Sequence, residues 1–137
     1  FYVADMYANG VYMIEADKFT SLGFIPTGEG AHGLYPSRDA KLLYCSNRDE
    51  GTVSVISFAT HKVVQKWTIP NGTPDMGGVS ADGKVLWLSG RYSKEVYAID
   101  TQSGKLLARI PVGKGPHGLC VYPQPGRYSL GHTGILR

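Results

Sequence analysis

The chain has 137 residues, of which 18% are charged, and a formal net charge of +3. That is the length of one ordinary domain, and no segment reaches the ~20 apolar residues of a membrane-spanning helix. The charges are scattered, with no run of five or more of one sign. The electrostatic footprint of a nucleic-acid binder is therefore missing.

Taken in order, short runs of β-branched and aromatic residues alternate with Gly, Pro, Asn, Asp and Ser, the pattern of strands joined by tight turns. Strands are predicted over residues 1–5, 11–16 and 21–26, then over 32–37, 41–47, 52–59 and 61–70. The plan recurs over 75–81, 84–90, 95–101 and 105–112, and again over 117–122 and 128–132. Nothing keeps a helical period over the ten or more residues a helix requires. The fold class is all-β.

The strands repeat with a period of about 43 residues. Val11, Val53 and Val96 are spaced by 42 and 43, and Ile14, Ile56 and Ile99 follow with the same spacings. Ile25-Pro26, Ile69-Pro70 and Ile110-Pro111 close each unit, and Asp39-Ala40-Lys41, Asp82-Gly83-Lys84 and Pro125-Gly126-Arg127 supply a recurring turn. Such a period, with four strands per unit, is the signature of β-propeller blades. The repeats divide at about 1–31, 32–74, 75–116 and 117–137, which is three blades and part of a fourth. Closed propellers use four to eight blades, and an open ring leaves raw strand edges. The expectation is therefore a longer chain, or partner chains, that complete the ring.

Lys41-Leu-Leu-Tyr-Cys-Ser-Asn47, Gly51-Thr-Val-Ser-Val-Ile-Ser57 and Glu95-Val-Tyr-Ala-Ile-Asp-Thr-Gln-Ser-Gly-Lys105 resemble the repeat of YVTN-type β-propellers. In that family a Tyr-Val-Thr-Asn-like strand, a Gly-Thr-Val-Ser-Val-Ile-Asp strand and a Pro-Asp-Gly-Lys turn recur in each blade. The resemblance covers essentially the whole chain, with Cys45 and Leu88 standing where the family often has Val and Pro125-Gly126 replacing Asp-Gly. It implies a scaffold or binding platform, commonly seven-bladed and often exported from bacterial cells.

The candidate site residues come from the repeat. His32, Asp75 and His117 fall at one repeat position, spaced by 43 and 42, where the chain enters the innermost strand of each blade. Arg48 and Arg91 occupy equivalent loops that should emerge on the same face, with Asp49, Glu50 and Tyr92 beside them. Such a ring at a channel mouth suits a small anionic or metal-bearing ligand. An ordinary turn role competes for His32, Asp75 and His117, and a solvated loop role is favoured for the two arginines. A divalent metal is the cofactor these side chains would admit, but it needs donors at about 2.0–2.2 Å, closer than equivalent residues of adjacent blades usually come. None is predicted firmly.

Gly28-Glu-Gly30-Ala-His-Gly33 and Gly113-Lys-Gly115-Pro-His-Gly118 match the dinucleotide-binding glycine pattern. That chemistry needs a helix after the glycines, and strands are predicted there instead. Cys45 and Cys120 read as buried thiols in different blades, and Trp67 and Trp87 as packing between sheets. His61 falls in an outer turn and His132 aligns with Ser46 and Ser89. No nucleophile–base setting is visible. The leading expectation is a non-enzymatic binding module of an exported bacterial protein. A metal-assisted hydrolase or lyase, lactonase-like or streptogramin-lyase-like, with its site at the channel mouth, is the alternative.

Overall fold

The computed structural model describes residues 1–122, and within them eleven strands and no helix. They form three antiparallel sheets. The first holds β1 (Tyr2–Asp5), β2 (Gly10–Ile14) and β3 (Ser21–Pro26). The second holds β4 (Ala31–Pro36), β5 (Leu42–Asn47), β6 (Thr52–Ser57) and β7 (Lys62–Thr68). The third repeats it with β8 (Pro74–Val79), β9 (Val85–Gly90), β10 (Glu95–Asp100) and β11 (Leu106–Pro111). These are propeller-like blades that do not close a ring.

Most strands are one or two residues shorter than the sequence predicts, because turn geometry claims their ends. Phe19, His61 and Gly104, spaced by one repeat, all have positive φ (55°, 53° and 71°). A left-handed residue stops a strand, so His61 belongs to the turn before β7, exposed as expected. Residues 117–122 contradict the prediction more seriously: they form no strand. The expected strand at 128–132, with His132, lies outside the described residues.

Alternation on the pleat explains the cores. Val53, Val55 and Tyr44 face the third sheet and pack with Leu86, Leu88, Tyr97 and Ile99. Leu43, Cys45 and Ile56 face the first sheet and pack with Val11, Met13 and Ile25. Ile56 joins the opposite face from Val55 by ordinary alternation along the strand. The β6–β7 register shifts beside this pair, with Val64 of β7 left over, and matching shifts follow Met13 and Ala98, with Leu22 and Leu107 left over on the outer strands.

The same logic shows where the ring is open. Cys45 and Ser54, turned towards the first sheet, are fully buried, as are Leu88 and Tyr97 at the equivalent positions of the third. Their counterparts in the first sheet, Val3 and Tyr12, are 49% and 38% exposed. Trp67 is buried in the core and Trp87 half-buried. The two cysteines differ: Cys45 is buried, but Cys120 is exposed, because no strand forms to carry it inward. Burial pushes the Cys45 thiol up to about 11, which leaves it protonated and inert at neutral pH.

Candidate functional site at the inner-strand rim

The inner strands carry a device that hydrophobic ladders do not reveal. In the β4–β5 pair, Ala31 opposes Asn47 and Leu34 opposes Cys45, so His32 and Gly33 together face Ser46. In the β8–β9 pair, Pro74 opposes Gly90 and Gly77 opposes Leu88, so Asp75 and Met76 together face Ser89. Both are β-bulges at one repeat position. A bulge breaks the ladder and re-aims a side chain, and here the re-aimed residues are His32 and Asp75.

Each bulge frees backbone groups that must find partners, and the facing serine supplies them. Gly33 N–H donates to Ser46 Oγ (2.8 Å), and the Ser46 hydroxyl donates to the Asp75 carbonyl (2.7 Å). One blade on, Met76 N–H donates to Ser89 Oγ (3.2 Å), and the Ser89 hydroxyl donates to the His117 carbonyl (2.6 Å). Each serine therefore ties its own bulge to the site residue of the next blade. His117 is held at the repeat position even though its segment forms no strand. A side chain at position 33 would need the space of Tyr35 Oη and the Asp75 carbonyl, 2.6 and 2.7 Å from a built Cβ. Gly33 is what lets the two inner strands approach.

The three repeat residues then meet. The Asp75 carboxylate is fully buried, and both of its oxygens are engaged. His117 Nδ1 lies 2.6 Å from Oδ2, at hydrogen-bond geometry. His32 Nδ1 lies 3.1 Å from Oδ1; that is ion-pair range, but the angle is not that of a hydrogen bond. Arg48 Nη1 lies 3.4 Å from the same Oδ1. The two imidazole rings stand edge to face with centroids 5.9 Å apart.

Arg48 corrects the loop expectation. Its side chain is only 7% exposed, because its N–H is fixed to the Gly30 carbonyl (2.9 Å) and Asp75 draws the guanidinium inward. Arg48 Nη2 also meets Met6 Sδ (2.6 Å), while Nε, 3.6 Å from Asp49 Oδ1, has no hydrogen-bond partner. Arg91, its counterpart one repeat on, stays partly exposed. Both guanidinium groups lie over the ring of Tyr92, at 5.6 and 5.8 Å, so Arg91 stands at the edge of the same cluster without touching Asp75.

These neighbours set the local field. Burial, above all, holds His32 below the ordinary imidazole value; Asp75 opposes that, and Arg48, His117 and Arg91 add to it. One carboxylate faces four groups that carry or can carry positive charge.

A matching family model, described as a YNCE-like β-propeller, spans residues 3–127. The chain belongs to the YNCE-like β-propeller family. Among solved structures it is similar to hydrazine synthase of Kuenenia stuttgartiensis, at 18% identity and a TM-score of 0.76 over 86% of this chain and 34% of that one. It is also similar to the dihydro-haem d1 dehydrogenase NirN in complex with DHE, at 14% identity and a TM-score of 0.71 over 85% of this chain and 26% of that one. The WD40 repeats of RRP9 match at 10% identity and a TM-score of 0.73, over 88% and 38%. At these identities the likeness shows the fold alone, and the chain spans about a third of the hydrazine synthase chain it matches. No curated protein sequence matches it.

Within this YNCE-like blade pair, sequence reasoning located His32, Asp75, His117, Arg48 and Arg91 but missed what arranges them. Ser46 and Ser89 were visible only as aligned positions; that each faces a bulge follows from pairing register, which residue types do not report. Tyr35 was missed too. Its hydroxyl accepts from Gly77 N–H (2.6 Å) and so staples β4 to β8, and burial raises its pKa. The glycine pattern at 28–33 runs straight into β4, so no helix N-terminus is there to receive a pyrophosphate.

The chemistry open to the cluster follows from its donors. The Asp75 oxygens are spent on three partners, and both imidazoles turn Nδ1 towards them. Among the described residues no three His, Cys, Asp or Glu side chains are arranged to hold a metal ion. The arrangement instead presents guanidinium N–H groups and the far edges of two imidazoles at one rim.

Proposed function

We propose that the chain is part of a β-propeller binding module that receives a small anionic ligand at this inner-strand rim. The observation that carries the reading is the convergence of donors: Arg48, His32 and His117 meet a single buried carboxylate, and Arg91 stands at the edge of the same cluster. Buried charges are stable only when paired, and Asp75 already compensates Arg48. An anion at the rim would compensate Arg91 and engage the outer edge of His117, which is 45% exposed. Guanidinium groups suit carboxylate or phosphate through paired N–H donors.

Further blades belong to the same proposal. The exposed Val3–Tyr12 face marks where a preceding blade would pack, and a cleft of ≈ 490 Å³ between β1 and β4 is where an inner strand of the first sheet would lie. The YVTN-type resemblance supports a bacterial exported protein; cell fractionation with an antibody to the full chain tests that, and a purely cytoplasmic signal would overturn it.

The binding reading is tested by titrating the full chain with sulfate and a small dicarboxylate, following backbone amide shifts. Binding is expected to perturb His32, Arg48, Arg91 and His117 first and to weaken in Arg91→Ala. Anion affinity unchanged in both Arg91→Ala and His117→Gln would sink the reading.

A further inference from the structure

The orientation of the two imidazoles says what an anion must bring with it. A neutral imidazole has one N–H and one bare nitrogen. His117 Nδ1, 2.6 Å from a carboxylate oxygen, carries its proton there, because a lone pair facing that oxygen would be repelled. His32 Nδ1, 3.1 Å from the other oxygen but off hydrogen-bond angle, favours its proton there for a weaker reason, the attraction between an N–H dipole and the nearby carboxylate charge. In the neutral state both rings therefore present a bare Nε2 away from Asp75. A bare nitrogen repels the lone pairs of an oxyanion, so neither ring can donate to one until Nε2 is protonated. Protonation supplies the missing donor and a positive charge in one step.

We infer that an anion binding at this rim takes up a proton from solvent onto Nε2 of the His32–Asp75–His117 cluster, so that anion affinity rises with acidity through the imidazole range. The inference rests on the anion-binding reading above and adds its regulation. The groups facing the histidines come from every element packed there. Asp75 is on β8, Arg48 and Arg91 lie in the turns after β5 and β9, and His32 and His117 face each other.

Without ligand the balance favours the neutral ring. Burial above all holds His32 below its ordinary value against the pull of Asp75, and Arg48, Arg91 and, once protonated, His117 add to it. A bound anion reverses the sign of the field at the rim and favours the imidazolium. Linkage then requires that acid strengthen anion binding as much as the anion raises proton affinity. The coupling needs no conformational change, since every group is already in place.

The test uses sulfate, which does not titrate in this range, and the full chain at about pH 5.5 and about pH 7.5, either side of the ordinary imidazole value. Linkage to one proton permits up to tenfold per pH unit, so affinity at least about tenfold tighter at the lower pH is expected. In the double variant His32→Gln, His117→Gln that difference should vanish; Arg91→Ala should weaken binding at both pH values and keep the ratio. Equal affinity at the two pH values would overturn the proton uptake while leaving the anion site standing. Absence of sulfate binding at both would overturn the site reading itself, and binding of Zn²⁺ without proton release would then show the bare Nε2 atoms serving as metal donors.

Discussion

The bulge at His32 and the bulge at Asp75 are one backbone device carrying opposite side chains. Each pairs two residues against a serine, and each serine ties the bulge to the next blade. In the second sheet the re-aimed residue is a partly exposed imidazole; in the third it is a fully buried carboxylate. The shared parts hold blades together, and the part that differs gives the rim its chemistry. The carboxylate sits in the middle of the row, where two histidines from the blades on either side can reach it.

The largest effect should come from breaking the side chain that all the others share. Asp75→Ala leaves Arg48 buried without its compensating charge, and loss of one partner of a buried pair costs about 3–5 kcal/mol. Urea denaturation reads this directly; a change below about 1 kcal/mol would mean that Arg48 does not depend on Asp75.

The next effect tests whether the two bulges are equivalent. Ser46→Ala strands a buried N–H and a carbonyl, at about 1–3 kcal/mol, and Ser89→Ala strands the equivalent, partly buried pair. A measurable loss is expected from both, somewhat smaller at Ser89, because the backbone geometry is the same but water can reach the groups Ser89 serves. A large loss at one and none at the other would show that the repeat is only nominal.

Arginine equivalents provide a sharper contrast. Arg48→Ala should destabilise the fold, whereas Arg91→Ala should stay within about 0.5 kcal/mol, as exposed substitutions usually do, while weakening anion binding. Matching stability losses would erase the distinction drawn between a buried and a rim guanidinium.

The smallest effect concerns pH. The folded chain holds His32 below its ordinary value of 6.5, chiefly by burial. As pH falls through that value, the unfolded chain takes the proton first, so stability declines on the acid side of about 6.5 and is regained above it. His32→Gln should flatten that part of the Tm profile. A separate loss should appear at lower pH still. Asp39 and Asp82, held below the ordinary carboxylate range mainly by hydrogen bonds from Ser37 and Ser80, give up their contribution as pH falls through their lowered values.

Much of the fold was legible because a propeller blade repeats its apolar ladder and its turns. Val53 and Val96, or Asp39 and Asp82, announce strands and turns whatever the tertiary context. The segment after β11 misled, since 117–122 has the composition of an inner strand but forms none here; Cys120 is exposed as a result. Site residues were legible as a column, His32, Asp75 and His117, yet their convergence was not. Equivalent residues of neighbouring blades ordinarily stand apart, and only the bulge opposite Ser46 or Ser89 turns them together. Arg48 was misjudged for a related reason: a loop arginine is usually solvated, and nothing in Asn47-Arg48-Asp49 reveals a buried carboxylate on the next blade.

The most direct test of the central claim, that three repeats converge on the Asp75 carboxylate, is a long-range ¹H–¹⁵N spectrum of the histidine side chains in the full chain at neutral pH. The account predicts that His32 and His117 both carry their proton on Nδ1, and that both lose this preference in Asp75→Asn, whereas exposed His61 keeps its ordinary tautomer in both proteins. Protonation of His32 and His117 on Nε2, or signals indifferent to Asp75→Asn, would contradict it.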